Sequence, residues 1–159
     1  MQEIVKVVSA ELKGYADRGI FRNFSTVQSG NSRNVNFRFH WLAESPFHLT
    51  LNPAKPELVL KGVLPSVPFR SDMDREFRDF LRQRCDSSIP SHRRLDADRF
   101  EFSCRNRQQE LSVTIGFQQR DAADAAKMAV NLLHEIFNNF LLDGPYQNYM
   151  VEVFNVPEE

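Results

Sequence analysis

The chain has 159 residues, of which 42% are hydrophobic and 26% charged, and a formal net charge of −1. That length and composition fit one soluble globular domain whose core needs neither disulfides nor a metal. The near-neutral charge supplies no field toward DNA, RNA or an anionic membrane, and no stretch approaches the ~18 uninterrupted apolar residues of a membrane span.

The opening stretch MQEIVKVVSAELKGYADRG is charged throughout and lacks the apolar segment of a secretion signal, so a cytoplasmic location is expected. Within it Val5, Val8, Leu12 and Tyr15 recur at spacings of three and four, which predicts a helix over 2–18. Gly19 is placed to end it. The period then changes. Ile20–Gln28 reads as a strand, and Ser29–Ser32 (SGNS) as a turn. Val35, Phe37, Phe39 and Trp41 alternate with Asn36, Arg38 and His40, the pattern of a half-buried strand. Beyond Glu44-Ser45-Pro46 the alternation resumes at Phe47, Leu49 and Leu51, and the prolines of NPAKP (Asn52–Pro56) end it. Glu57–Leu64 supplies another short strand.

Ser71 and Asp74 have the spacing of an N-cap pair, and Met73, Phe77, Phe80 and Leu81 form the apolar stripe of the helix that follows. Asp86–Asp98 reads as a polar loop. A hairpin comes next, with Phe100, Phe102 and Cys104 on one arm and Leu111, Val113, Ile115 and Phe117 on the other. The final helix begins near Asp121 and Asp124, runs through Ala125, Ala129, Leu132, Leu133, Ile136, Phe137, Phe140 and Leu141, and is broken by Asp143-Gly144-Pro145. Tyr146–Val156 is short and amphipathic by either period.

The elements therefore run helix, three or four strands, helix, two strands, helix, in a single domain spanning 1–159. Strands in sequence joined by short turns predict a mostly antiparallel sheet. One apolar face per strand predicts helices on one side only, a two-layer α+β sandwich.

The candidate sites are few. His40 and His48 fall on the polar side of their strands. With a three-residue loop, Ala43–Ser45, Trp41 would face Phe47 and His40 would lie opposite His48. Zinc requires a third protein ligand; the same face offers only Asn36, Arg38, Thr50 and Asn52, and Arg38 would repel the ion, so no metal is expected. The readings left are a solvated face or a partner-binding surface comprising Arg38, His40, His48 and Thr50, together with the last helix. Cys85 and His92 could pair as thiol and base, but Cys85 lies at the C-terminal end of a helix, the wrong end to stabilise a thiolate. Both cysteines, Cys85 and Cys104, read as free and inert. Asp121 and Asp124 read as helix caps rather than a catalytic pair. His134 reads as a residue at the edge of the apolar stripe. Arg99, Glu101, Ser103 and Arg105 are expected on one strand face, where Glu101 and Glu110 dilute the charge that Arg93, Arg94 and Arg107 add nearby, so nucleic acid is not the expected partner. With 6 glycines and no glycine-rich loop, GxSxG or HExxH, the chain shows no common route to catalysis and no cofactor is expected.

The order of elements, from Val5 to about Leu142, resembles that of type III secretion chaperones and of the YbjN family of bacterial proteins; AVNLLHEIFNNFLL in the last helix is the nearest sequence echo. The resemblance implies a small non-enzymatic domain, usually a homodimer, that binds protein segments. Secretion chaperones are typically more acidic than this chain. The expected function is thus a chaperone-like or regulatory protein-binding homodimer. The alternative is a small-molecule or lipid binder with a pocket between the C-terminal helix and the sheet. An uncharged, proline-free run, Leu111–Phe117, is expected either inside the sheet or paired across a dimer interface.

Overall fold

A computed structural model describes residues 2–28, 33–42, 46–91 and 94–142, together with Tyr146 and Tyr149. The turns expected at 29–32 and 43–45, His92, Arg93 and the break at 143–145 lie outside the described residues, as does all of 146–156 except those two tyrosines. The elements are α1 (Gln2–Asp17), β1 (Arg22–Gln28), β2 (Val35–His40), β3 (Phe47–Asn52), β4 (Glu57–Leu64), α2 (Asp72–Gln83), β5 (Glu101–Arg107), β6 (Glu110–Gly116) and α3 (Ala122–Glu135), whose last turns, Ile136–Leu142, widen into a π-helix. All six strands join one antiparallel sheet in the order β1-β2-β3-β4-β6-β5.

Alternation dictates the layering. Val35, Phe37 and Phe39 of β2, Phe47, Leu49 and Leu51 of β3, and Leu111, Val113 and Ile115 of β6 are buried, whereas Arg38, His48, Lys61, Ser103 and Arg105 on the opposite face are exposed. The helices lie over the apolar face, as expected. From α1, Ile4, Val8 and Leu12 enter the core; α3 contributes Ala125, Ala129, Leu132 and Leu133. Small residues early in α3 let α1 approach it, and larger ones take over toward its end, where Phe47 meets Phe137 edge to face at 5.3 Å and Phe77 of α2 meets Phe140 in the same manner at 5.3 Å. Much of the phenylalanine content goes into stacked rings beneath the sheet, such as Phe21 on Phe39 at 3.9 Å.

Two glycines sit where only a left-handed backbone serves. Gly19 (φ 79°) ends α1 as predicted. Gly62 (φ 58°) forms a bulge in β4, where the register with β6 slips, and its N–H donates to Ser112 Oγ at 2.8 Å. The cap expected at α2 is present: the Asp74 N–H donates to Ser71 Oγ at 3.3 Å. The caps expected at α3 are not. Asp121 precedes the helix with φ −100° and ψ 12° rather than extended backbone, and its side chain makes no capping bond. It accepts from Arg99 instead, at 2.6 Å, while Asp124 accepts from the same guanidinium at 2.7 Å. Arg99 is accordingly not on the strand face with Glu101 and Arg105; it lies before β5 and ties that strand to the start of α3.

Leu111–Phe117 resolves the choice left by the sequence. β6 is interior, between β4 and β5, and the sheet edges are β1 and β5.

Candidate functional site

Two surfaces bring chemistry-bearing side chains together. The first is the open sheet face. Its register corrects the pairing expected from the sequence: Phe39, not Trp41, faces Phe47, so His48 lies opposite Arg38, and His40 pairs instead with Arg22 on β1. The histidines therefore do not face each other. His40 Nδ1 lies 3.4 Å from Asn23 Nδ2, and Thr50 Oγ1 donates to Asn36 Oδ1 at 2.8 Å. Among the described residues no group of three or more His, Cys, Asp or Glu converges as a metal site would require.

The strand register sorts this face into rows. Ser25, Arg38, His48 and Lys61 stand side by side across β1–β4; past the Gly62 bulge, Ser112 and Arg105 continue the line. Next to it runs an uncharged row: Val27, Asn36, Thr50, Val59, Thr114 and Ser103. Beyond that, Asn52, Glu57, Gly116 and Glu101 form an acidic row. Arg38, Lys61 and Arg105 have no ion-pair partner among the described residues. His48 senses the resulting field. Burial of part of its ring, then the charges of Arg38 and Lys61, hold its pKa below the ordinary 6.5.

The second surface is a cleft of about 920 Å³ on the outer side of α3, walled on its other side by the loop after α2. Leu95 anchors that loop: its side chain is buried and its N–H donates to the Arg84 carbonyl at 2.8 Å. Tyr15, Trp41, Leu95 and Met128 give the cleft an apolar wall, and Arg94, Lys127 and His134 reach it from around the rim. His134 stacks near-parallel to Trp41, with ring centroids 6.1 Å apart. The sequence placed His134 at the stripe's edge, but residue spacing did not reveal the cleft, since a loop's path over a helix has no periodicity. Between the last helix and the sheet Phe47 packs edge to face on Phe137, and this cleft lies on the helix's other side.

The cysteines are free and partly buried. Burial raises the Cys85 thiol above its ordinary value and pushes Cys104 up to about 11, so neither is poised as a nucleophile at neutral pH. Among the described residues no helix is long and apolar enough to cross a membrane. Comparison with family models, curated proteins and solved structures finds no match to this chain.

Proposed function

We propose that the chain is a non-catalytic protein-binding domain, chaperone-like or regulatory, whose open sheet face takes an acidic segment of its partner. One observation carries this reading: Arg38 on β2 and Lys61 on β4 flank His48 in one row across three adjacent strands, and neither cation has an internal counter-ion among the described residues. Side chains directly opposite on neighbouring strands stand about 5 Å apart, so a segment lying across the strands can meet several of them at once. Thr50 lies in the uncharged row beside this band, and the acidic row beyond gives the face a polarity that orients a bound segment. His40 lies past the band beside Arg22, at the margin of this surface.

The test is titration of the His48 imidazole by NMR with and without a glutamate-rich decapeptide. Carboxylates near Arg38 and Lys61 raise the His48 pKa toward or above 6.5, and binding weakens as salt is added. The Arg38→Glu, Lys61→Glu double variant is expected to bind about a hundredfold more weakly, roughly tenfold for each charge-assisted contact. An unmoved His48, or equal binding of a lysine-rich decapeptide, overturns the reading.

The same proposal includes a homodimer, and β1 is the edge that favours it. Asn23–Gln28 carries neither charge nor proline and Val27 is 58% exposed, whereas β5 bears Glu101, Arg105 and Arg107 and has its Cys104 carbonyl occupied by Arg78 at 3.0 Å. Light scattering at tens of micromolar is expected to return twice the 18.5 kDa chain mass, and Val27→Lys to return the monomer. A monomeric native chain removes the dimer and leaves the sheet-face reading to the titration.

A further inference from the structure

We propose that the cleft outside α3 is a binding site for a small organic anion that carries a flat apolar ring. Its volume, about 920 Å³, is in the range of small-molecule sites, and it combines an apolar wall with a few polar groups. The ring system of such a ligand has a matching surface in the near-parallel pair Trp41 and His134, with Leu95 and Met128 closing the apolar side. Rings stack in offset or edge geometry on surfaces of this kind, and each such contact contributes beyond simple burial.

The charge preference follows from which rim groups are already engaged. Of the carboxylates on the cleft, Asp124 accepts from Arg99, and Asp96 accepts the Asp98 backbone N–H in a turn at 3.2 Å. Arg99 donates to both Asp121 and Asp124 through Nη2, and these two carboxylates offset its charge, which makes it a poorer partner for an anion. Asp98, exposed, is the carboxylate on the cleft with no such partner among the described residues. The cations are less committed. Arg94 uses one nitrogen on the Ser87 carbonyl at 3.1 Å, which fixes the guanidinium against the loop and leaves its remaining donors. Lys127 stands at the long distance of 3.9 Å from Glu11 with 56% of its side chain exposed. An anionic group held between Arg94 and Lys127 therefore receives charge-assisted hydrogen bonds without displacing an existing ion pair of comparable quality.

This inference is independent of the sheet-face proposal, because the cleft lies on the helix side of the molecule. The experiment titrates the intact chain with 2-naphthoate, the neutral 2-naphthamide and the cationic 2-naphthylmethylamine. Trp41 is the chain's one tryptophan, so a single indole N–H resonance reports the site. Naphthoate is expected to shift that resonance saturably, to leave the His48 resonances in place, and to bind about tenfold more tightly than the amide. Lys127→Glu, an exposed substitution that leaves the core untouched, is expected to abolish or invert the preference for the anion. An indole signal unmoved at millimolar naphthoate, equal affinity for all three naphthalenes, or a preference unchanged in Lys127→Glu overturns the proposal.

Discussion

Asp74→Ala is expected to lower the free energy of unfolding by about 3 kcal/mol, the lower end of the range for removing one partner of a buried ion pair. The carboxylate is only 2% exposed and holds three separate pieces of chain together. Its Oδ2 accepts the Arg70 backbone N–H at 2.8 Å and lies 3.4 Å from Asn106 Nδ2 on β5; its Oδ1 accepts from Arg78 Nε at 2.8 Å. Arg70 sits at φ 62°, a left-handed conformation that the Asp74 bond helps to fix before α2 begins. Arg78 retains 34% exposure, so it is re-solvated more easily than a fully buried partner, which places the effect at the low end.

The same residue gives the fold an acid limit. Burial alone would raise the Asp74 pKa, but the Arg70 N–H, the hydrogen bond and charge of Arg78, and Asn106 together lower it from 3.8. A carboxyl with a depressed folded-state pKa binds fewer protons when folded than when unfolded, so its contribution is complete above 3.8 and is lost as pH falls through the folded value. Asp74→Asn keeps the shape and one acceptor while losing the charge, and is expected to be destabilised by about 1–2 kcal/mol at neutral pH. Urea melts from pH 7 downward check both effects. The gap between native and Asp74→Asn should close as Asp74 becomes protonated; a gap independent of pH would show that its charge contributes nothing.

Much of this architecture was legible because strand alternation and helical spacing are local. Phe37 and Phe39 announce their burial by position alone, and Ser71 with Asp74 announces the start of α2. What stayed illegible is the partner each polar residue chooses. The expected pairing of His40 with His48 missed by two residues, a slip that leaves every side chain on its correct face and so leaves no trace in the alternation. It moved His48 next to Arg38 and thereby turned two scattered polar residues into part of a charged band. Asp121 and Asp124 failed for a different reason. Acidic residues at a helix start carry the same local signature whether they cap the backbone or pair with a distant arginine, and Arg99 lies 22 residues from Asp121. Leu95 was the one available clue to the cleft: a large apolar residue in a polar loop has to be buried somewhere, and its burial sets the loop's path beside α3.

Glu135→Ala is expected to be destabilised by about 3–4 kcal/mol, whereas the double replacement Arg84→Met, Glu135→Leu is expected within about 1 kcal/mol of the native chain or above it. Arg84 ends α2 and Glu135 lies in the last turn of α3; their side chains are 14% and 4% exposed and meet at 3.3 Å. Asn139, one turn on, also donates to the Glu135 carboxylate. The arginine is imperfectly satisfied, for its Nε is buried with no hydrogen-bond partner. Desolvating both ions opposes much of their mutual attraction, so the pair as a whole adds little, yet either ion left alone in this site is strongly unfavourable. Hydrophobic replacements of similar length remove the orphaned Nε and can pack against Phe80, over whose ring the Arg84 guanidinium lies at 5.7 Å. A double-mutant cycle by chemical denaturation measures the difference. With Arg84→Met and Glu135→Leu as the single variants of the cycle, the double variant is expected to lose far less stability than the two single losses summed. Single losses that simply add in the double variant would mean that the two side chains stabilise the α2–α3 junction separately, each through its own packing, and that the ion pair is incidental to it.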